Sequence, residues 1–319
     1  DSVRKVSQHT QTSRHGSWPR QSPSWVSSAP TTLSKMAPST DSRLWLATQV
    51  LDYGWMLTVA GIIYALYSGR TKYSPVDSAV VCLGQGAASV AVLYFRERVN
   101  FALLRGRLPP SKQQSALKSL GYIFQTYAMS MSSFWLSYQR DLIYFTAPSV
   151  TLAFWSEVFV PFFALLLLRD VFFLGPLHRL LHSKRWYHLH KLHHEVRKDA
   201  QSLHAFHIDA VDLIIENVGA PFLVFCGQYM LGLPVGMHWF TPVLLTFHDA
   251  ALHSVNPYSV MYFNPLLDWL FHPNVTHQLH HALNRGYYMF VPYHHVLRAS
   301  READCAKYNS VFETDFSFS

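Results

Sequence analysis

The sequence predicts an all-α integral membrane protein, a helical bundle of about four to six membrane segments with a cytosolic, histidine-rich helical cap. Half of the 319 residues are hydrophobic and only 14% are charged, against roughly 25% in an average soluble protein. Apolar runs of about 20 residues, the length that crosses a bilayer as a helix, recur along the chain. Beyond residue 16, every histidine lies between His178 and His295.

Five apolar runs predict the membrane segments. The last run has no charged residue over 31 positions, and Gly232, Pro234 and Gly236 near its middle predict a short hairpin. Buried helices of a soluble protein are the alternative, but runs of this length favour membrane-spanning or re-entrant segments. The runs cover residues 44–67, 76–95, 120–139, 142–168 and 217–247.

Two basic loops predict the orientation in the membrane. Residues 96–119 and residues 178–198 each contain six Lys and Arg. Basic loops face the cytosol in most membrane proteins, and two passes between these loops, 120–139 and 142–168, keep both on one side. The histidine-rich loop is therefore expected to face the cytosol.

Composition divides the chain into four parts. Residues 1–35 are rich in Ser, Gln, Thr and Arg without apolar periodicity. We expect a disordered tail there, an extension ahead of a start at Met36, or a transit peptide. N-terminal membrane helices are expected over 36–139, a histidine-rich domain over 140–295 and a C-terminal tail over 296–319. The first part carries +4 of the net charge of +7. Because the sequence shows no basic patch interleaved with aromatic residues and no zinc-finger spacing, we expect no nucleic-acid partner.

The histidines are spaced as metal ligands. Imidazole is the commonest metal ligand in proteins, and residues three or four apart share a helix face. The segments "HRLLH" (178–182), "HKLHH" (190–194) and "HQLHH" (277–281) repeat that spacing. Their eight imidazoles exceed what one ion binds, so the cap is predicted to hold a di-metal site. The predicted ligands are His178, His182, His190, His193, His194, His207, His248, His253, His277, His280 and His281.

Iron is the expected metal. A zinc protease would show HExxH, but "HHEVRK" lacks the second histidine, and the Glu-x-x-His pairs of ferritin-like bundles are absent from the sequence. Cys82, Cys226 and Cys305 form no CxxC, so a thiolate site is not expected. An all-nitrogen site beside a membrane suits iron that activates O2. Zinc stays an alternative, above all in a purified form.

These motifs resemble the fatty acid hydroxylase superfamily of membrane histidine-box oxidases, most closely its C-5 sterol desaturase-like members. The stretch "RDVFFLGPLHRLLH" is similar to the first histidine box and "LHKLHHE" to the second. The stretch "SLHAFHIDAVD" resembles the segment that follows, and "FHDAALH" and "HQLHH" resemble the later boxes. The resemblance covers roughly residues 140–290. After the last box the sequence departs from the family and keeps only Asn284, Gly286 and Tyr287 of its usual pattern.

The resemblance implies a multi-pass protein of the endoplasmic reticulum membrane, with a di-iron centre that faces the cytosol. It implies a fatty acid hydroxylase-like catalytic domain that uses O2 as co-substrate to hydroxylate or desaturate an apolar lipid, sterol or terpenoid-like molecule. Electrons would come from cytochrome b5 or a similar donor on a separate protein, since the sequence has no HPGG motif. The alternative is a histidine-rich membrane metal-binding protein or transporter without redox catalysis, in which polar ligands usually lie at mid-depth.

Several further residues are expected near the site in other roles. Asp249 and His204 are expected to hold ligand imidazoles in place rather than to bind metal themselves. Trp155, Phe159 and Tyr288 are candidates for the wall of a substrate channel.

Overall fold

The computed structural model shows a mostly helical protein. The predicted tails, residues 1–35 and 296–319, and the channel candidate Tyr288 lie outside the part of the chain that the structure describes. The described residues are 42–69, 74–103, 119–196, 200–254, 256, 258–264, 266–267, 277–278, 280–281 and 284.

Apolar sequence explains the long helices, and polar side chains mark where two of them begin. The Ser74 hydroxyl accepts the Asp77 backbone N–H at 3.2 Å, and Pro75 occupies the first helical position. The Thr151 hydroxyl caps a later helix in the same way, at 3.3 Å from the Phe154 nitrogen. The α-helices are α1 (Ser42–Tyr67), α2 (Pro75–Leu103), α3 (Leu120–Gln139), α4 (Leu152–Leu168), α5 (Arg179–Leu181), α6 (Tyr187–His190), α7 (Ala210–Leu213), α8 (Gly219–Met230) and α9 (Phe240–Leu252).

Two π-helical segments interrupt otherwise continuous helices. The first, Arg169–His178, joins α4 to α5, and the second, Ile214–Val218, joins α7 to α8. Such wide turns are rare and occur frequently at functional sites, because they rotate the side chains that follow them. Short 3-10 helices, His193–Glu195 and Ser202–Phe206, complete the region between the two. Histidine or acidic side chains lie on each of these irregular segments or next to them.

The predicted hairpin within 217–247 is present and separates α8 from α9. Gly232 has a φ of 65° and Gly236 a φ of 144°, a backbone conformation that favours glycine. After the turn, Met237–His238 (β2) pairs in parallel with Ile143–Tyr144 (β1). These four residues are the one departure from an all-α fold within the described part of the chain.

Four helical stretches of the described residues are long and apolar enough to cross a membrane, judged by length and composition alone. This number lies within the predicted range of four to six. Of the five apolar runs, 120–139 forms α3 but is not among the four stretches, and 217–247 is divided by the hairpin. The four stretches are Arg43–Tyr67, Val76–Asn100, Leu152–Leu181 and Ala210–Met230.

A buried ion pair connects the first two helices to the histidine-rich part of the chain. Arg96 was expected in a cytosolic loop, but it lies inside α2 with only 1% of its side chain exposed. Its guanidinium donates to both carboxylate oxygens of Asp52 on α1, at 2.8 and 2.9 Å. The same carboxylate accepts the Val260 backbone N–H at 2.9 Å, and Arg96 also contacts Ser202. The pair thereby fixes two segments that flank the histidines.

Candidate metal centre

Nine of the eleven predicted ligands converge in two neighbouring groups. Within each group, one ligand atom per residue lies within 4.8 Å of the others. The groups are joined through adjacent residues, because His193 and His194, like His280 and His281, belong to different groups. The five-histidine group is His178, His182, His190, His194 and His280, and the four-histidine group is His193, His253, His277 and His281.

Four of the six nitrogen–nitrogen distances in the four-histidine group are close to those of a tetrahedral nitrogen site. The Nε2 atom of His253 lies 3.3 Å from that of His193, 3.0 Å from that of His277 and 3.2 Å from that of His281. The Nε2 atoms of His277 and His281 are also 3.2 Å apart. A tetrahedral ion bound by imidazoles at about 2.0–2.1 Å keeps its ligand nitrogens about 3.3–3.4 Å apart. The observed spacing fits such an ion with little rearrangement.

Hydrogen bonds on the far side of two rings assign their tautomers. The Nδ1 of His253 lies 3.0 Å from the Asp249 carbonyl oxygen, and the Nδ1 of His281 lies 3.1 Å from the Val196 carbonyl oxygen. A carbonyl only accepts, so each Nδ1 carries the proton and donates, which leaves a lone pair on each Nε2. Two lone pairs only 3.2 Å apart repel each other, and a cation between them removes that repulsion.

The five-histidine group collects rings from three segments of the chain, 178–182, 190–194 and 277–281. The Nε2 atoms of His178 and His280 are 2.9 Å apart. The Nε2 of His190 and both nitrogens of His194 are buried and find no hydrogen-bond partner among the described residues. Buried polar atoms are nearly always satisfied by a partner, so unmatched imidazole nitrogens that face one another favour a bound ion.

Burial favours the neutral form of several of these imidazoles. Desolvation, with the repulsion of neighbouring imidazoles, lowers the pKa of His193, His194 and His281 well below the ordinary value of 6.5. The pKa of His182 falls to about 3 and that of His253 to about 4, in both cases mainly because the rings are desolvated. Neutral imidazole is the form that binds metal, so these five rings can bind a metal ion at neutral pH.

Two predicted ligands, His207 and His248, lie outside both groups. The Nε2 of His207 is 3.6 Å from a carboxylate oxygen of Glu195, and its ring meets the edge of Tyr122. The Nδ1 of His248 is 3.3 Å from the Asp249 carboxylate, and its ring lies beside Phe162. The structure therefore places these two histidines around the centre rather than within its ligand groups.

The polar residues beside the groups act mainly through hydrogen bonds. Asp249 was expected to orient an imidazole, and it orients His253 through its backbone carbonyl. Its carboxylate pairs with Arg169 at 2.8 Å. Burial would raise the pKa of Asp249, but the Arg169 guanidinium outweighs this effect and lowers it below its usual range. His204 turns away, since its Nδ1 accepts the Gln201 backbone N–H at 2.7 Å.

The sequence analysis missed two carboxylates that contact the five-histidine group. An oxygen of Asp212 lies 2.5 Å from the Nδ1 of His190, and an oxygen of Glu216 lies 3.0 Å from the Nδ1 of His178. Both are buried, with exposed fractions of 0% and 7%. A signal was present in the sequence: two acids four residues apart, on one helix face, at the beginning of an apolar stretch.

A large apolar cavity lies next to the histidines. Its volume is about 900 Å³, and side chains of α3, α4, α8 and α9 form most of its wall. Arg169, Ala205 and Asp249 line this large cavity and also a small cavity of about 30 Å³. The small cavity is bordered by four histidines of the two groups, His178, His193, His253 and His277. Neither Trp155 nor Phe159, the predicted channel residues, is among the lining side chains of the large cavity.

No protein-family model, curated protein or solved structure matches the chain. The fold and the site by themselves define a mostly helical protein with four candidate membrane spans and two histidine groups that could hold metal ions.

Proposed function

We propose that the protein is a membrane-bound non-haem di-iron oxidase that uses O2 and external electrons to hydroxylate or desaturate a lipid, sterol or terpenoid-like substrate. One observation carries the proposal: two adjacent groups of mostly buried imidazoles border a small cavity that shares part of its wall with a large apolar cavity. Two metals within reach of an apolar cavity suit oxidation of an unactivated C–H bond. The resemblance of the histidine boxes to the fatty acid hydroxylase superfamily points to the same chemistry.

The roles of the chain's own residues follow from their positions. The nine histidines would hold two iron ions, and bound iron would supply the reduction of O2 and the removal of hydrogen from carbon. Apolar side chains of the large cavity, such as Phe206 and Leu213, would bind the substrate by burial of its surface and keep water away. The Arg169–Asp249 ion pair would hold Asp249 in place at the boundary between the cavities. The Asp249 backbone carbonyl oxygen would thereby keep its contact with the Nδ1 of His253.

The reaction balances with two electrons from outside. Hydroxylation consumes the substrate, O2, two electrons and two protons, and yields an alcohol and one water. Desaturation consumes the same set and yields an alkene and two waters. A donor such as cytochrome b5 would supply the electrons at the cytosolic face of the endoplasmic reticulum membrane. Exposed Arg179, Lys184, Arg185 and Lys191 beside the histidines suit an acidic partner, because complementary charge speeds association.

Metal transport without redox chemistry is the alternative, and the arrangement of the ligands favours the oxidase. A transporter would place its ligands within the spans at mid-depth. Of the nine grouped histidines, only His178 lies within a candidate span. Two compact groups beside an apolar cavity suit a reaction centre better than an ion path.

The test is mass spectrometry of lipids and sterols from cells that express the chain and from cells that lack it. A product with one additional oxygen would identify a hydroxylase, and a product short of two hydrogens would identify a desaturase. His280→Ala should abolish either product, whereas His188→Ala should not, because His188 is exposed and belongs to neither group. Identical profiles with and without the chain, in cells shown to contain the metal-loaded protein, would contradict the proposal.

A further inference from the structure

The two histidine groups differ in the groups that accept from their Nδ1 atoms. In the five-histidine group, the Asp212 carboxylate is the hydrogen-bond partner of the His190 Nδ1 at 2.5 Å. A Glu216 oxygen lies 3.0 Å from the His178 Nδ1, an ion-pair distance without hydrogen-bond geometry. In the four-histidine group, the Nδ1 atoms of His253 and His281 face backbone carbonyls. The groups therefore differ in the acidic side chains beside them as well as in the number of rings.

The nearby Asp249 does not remove this difference. Its carboxylate is paired with the Arg169 guanidinium at 2.8 Å, whereas the contacts of Asp212 and Glu216 described above are with imidazoles. The Oδ1 atom of Asp212 is buried and has no hydrogen-bond partner among the described residues. A buried carboxylate without a compensating charge is costly, and a divalent cation in the five-histidine group would compensate it.

We infer that Asp212 and Glu216 make the two metal positions unequal, so that the five-histidine group retains its ion while the four-histidine group exchanges its ion more readily. A carboxylate that accepts from Nδ1–H raises the basicity of the imidazole as a ligand, fixes its tautomer and partly balances the charge of the ion. Both acids are positioning residues, since they act through His190 and His178. The inference rests on the metal binding assumed in the proposed function and is independent of its oxidase chemistry.

The experiment measures the release of Co²⁺ from the purified, detergent-solubilised full chain. After loading to saturation, bound cobalt is counted by elemental analysis at intervals after addition of EDTA, and the visible cobalt bands are followed in parallel. The wild-type chain should lose one ion in a fast phase and one in a slow phase. Asp212→Asn and Glu216→Gln keep the shape of the acceptor and remove its charge. Each should accelerate the slow phase by roughly 10–100-fold and leave the fast phase unchanged.

Asp209→Asn is the matched control. Asp209 lies on the same helix and its carboxylate caps α7 by accepting the Val211 N–H at 2.9 Å, a role that Asn fills equally well. This variant should release cobalt at the wild-type rates. Far-UV circular dichroism of each loaded variant verifies that the helices are intact. A faster release phase then reflects a change at the metal site rather than unfolding.

Three outcomes would overturn the inference: a single release phase for both wild-type ions, an unchanged slow phase in Asp212→Asn and Glu216→Gln, or equal acceleration of both phases. Failure of the proposed function has a different signature. A chain that holds two unequal ions but forms no oxidised product would contradict the oxidase and support the inference.

Discussion

His253 lies at the centre of the four-histidine group, and its protonation couples folding to pH. Its pKa is about 4 in the folded chain because the ring is desolvated, against about 6.5 in an unfolded chain. Between these values the unfolded state binds more protons than the folded state, so stability is complete above pH 6.5 and falls as the pH decreases toward 4. His182, with a pKa of about 3, adds to the same trend.

We therefore expect the metal-free protein to unfold at lower temperature as the pH decreases from 7.5 to 4.5. His253 alone contributes up to about 3 kcal/mol to the loss, at 1.36 kcal/mol per pKa unit. Thermal unfolding in detergent with EDTA, followed by circular dichroism at several pH values, measures it. A melting temperature that stays constant over this range would show that the rings are not buried as described.

Gly236 shows how one residue fixes the hairpin before α9. Its φ is 144°, and a Cβ atom there would lie 2.9 Å from the Leu142 carbonyl oxygen. Gly236→Ala should lower stability by about 1–3 kcal/mol, because it adds backbone strain and a steric clash. Gly227→Ala, in open space on α8, should be neutral or stabilise by up to about 1 kcal/mol. Thermal unfolding of both variants tests the contrast, and equal effects would contradict it.

At the scale of elements, the spacing of the histidines was predictable and their division between two groups was not. Each pair four residues apart, His178 and His182, His190 and His194, His277 and His281, shares one group, as expected for residues stacked on one helix face. The middle histidine of each HxxHH segment, His193 or His280, joins the other group, and His253 completes the four-histidine group from the end of α9. That division depends on how the π and 3-10 turns are oriented by tertiary packing, which sequence periodicity does not record.

The Arg96–Asp52 pair makes the helix α1–α2 interface sensitive to single substitutions. Asp52→Ala should destabilise the protein by about 3–5 kcal/mol, because it leaves a buried guanidinium without its partner. Adding Arg96→Met to it should restore much of the loss, whereas Asp77→Ala, at an exposed position near the start of α2, should cost less. Thermal unfolding of the four proteins measures these differences. A double variant no more stable than Asp52→Ala would show that the unpaired Arg96 guanidinium is not the cause of the lost stability.

At the scale of the whole molecule, the composition and the lengths of the apolar runs predicted a mostly helical fold, which is confirmed. They also predicted four to six membrane segments, a range that includes the four candidate spans of the described residues. The large cavity was not predictable, because it arises where α3, α4, α8 and α9 meet, and side chains such as Phe222 and Met131 come from distant parts of the sequence. Orientation, compartment and electron donor stay predictions. The same holds for the ligand roles of His207 and His248, which lie outside both groups.

Ala205 offers a test of the link between the two cavities, since it lines both. Ala205→Phe should narrow the junction and reduce oxidised product by roughly 100-fold, as expected when a substrate is displaced by about 1 Å, with the metal content unchanged. Ala153→Phe, at an exposed position of α4, is the control and should leave both unchanged. Product is measured by mass spectrometry and metal by elemental analysis. Undiminished product in Ala205→Phe would show that substrate reaches the metals by another route.

Each histidine group takes ligands from both ends of a stretch of about 100 residues: His178 with His280 in one, His193 with His281 in the other. The first group lacks a ligand until the ribosome has synthesised residue 280, and the second until residue 281. Each site therefore forms only after the whole stretch between its ligands has been made. An ion that binds only the folded site adds its binding free energy to stability. The supply of the bound metal in the cell would then help to determine how much of the protein persists.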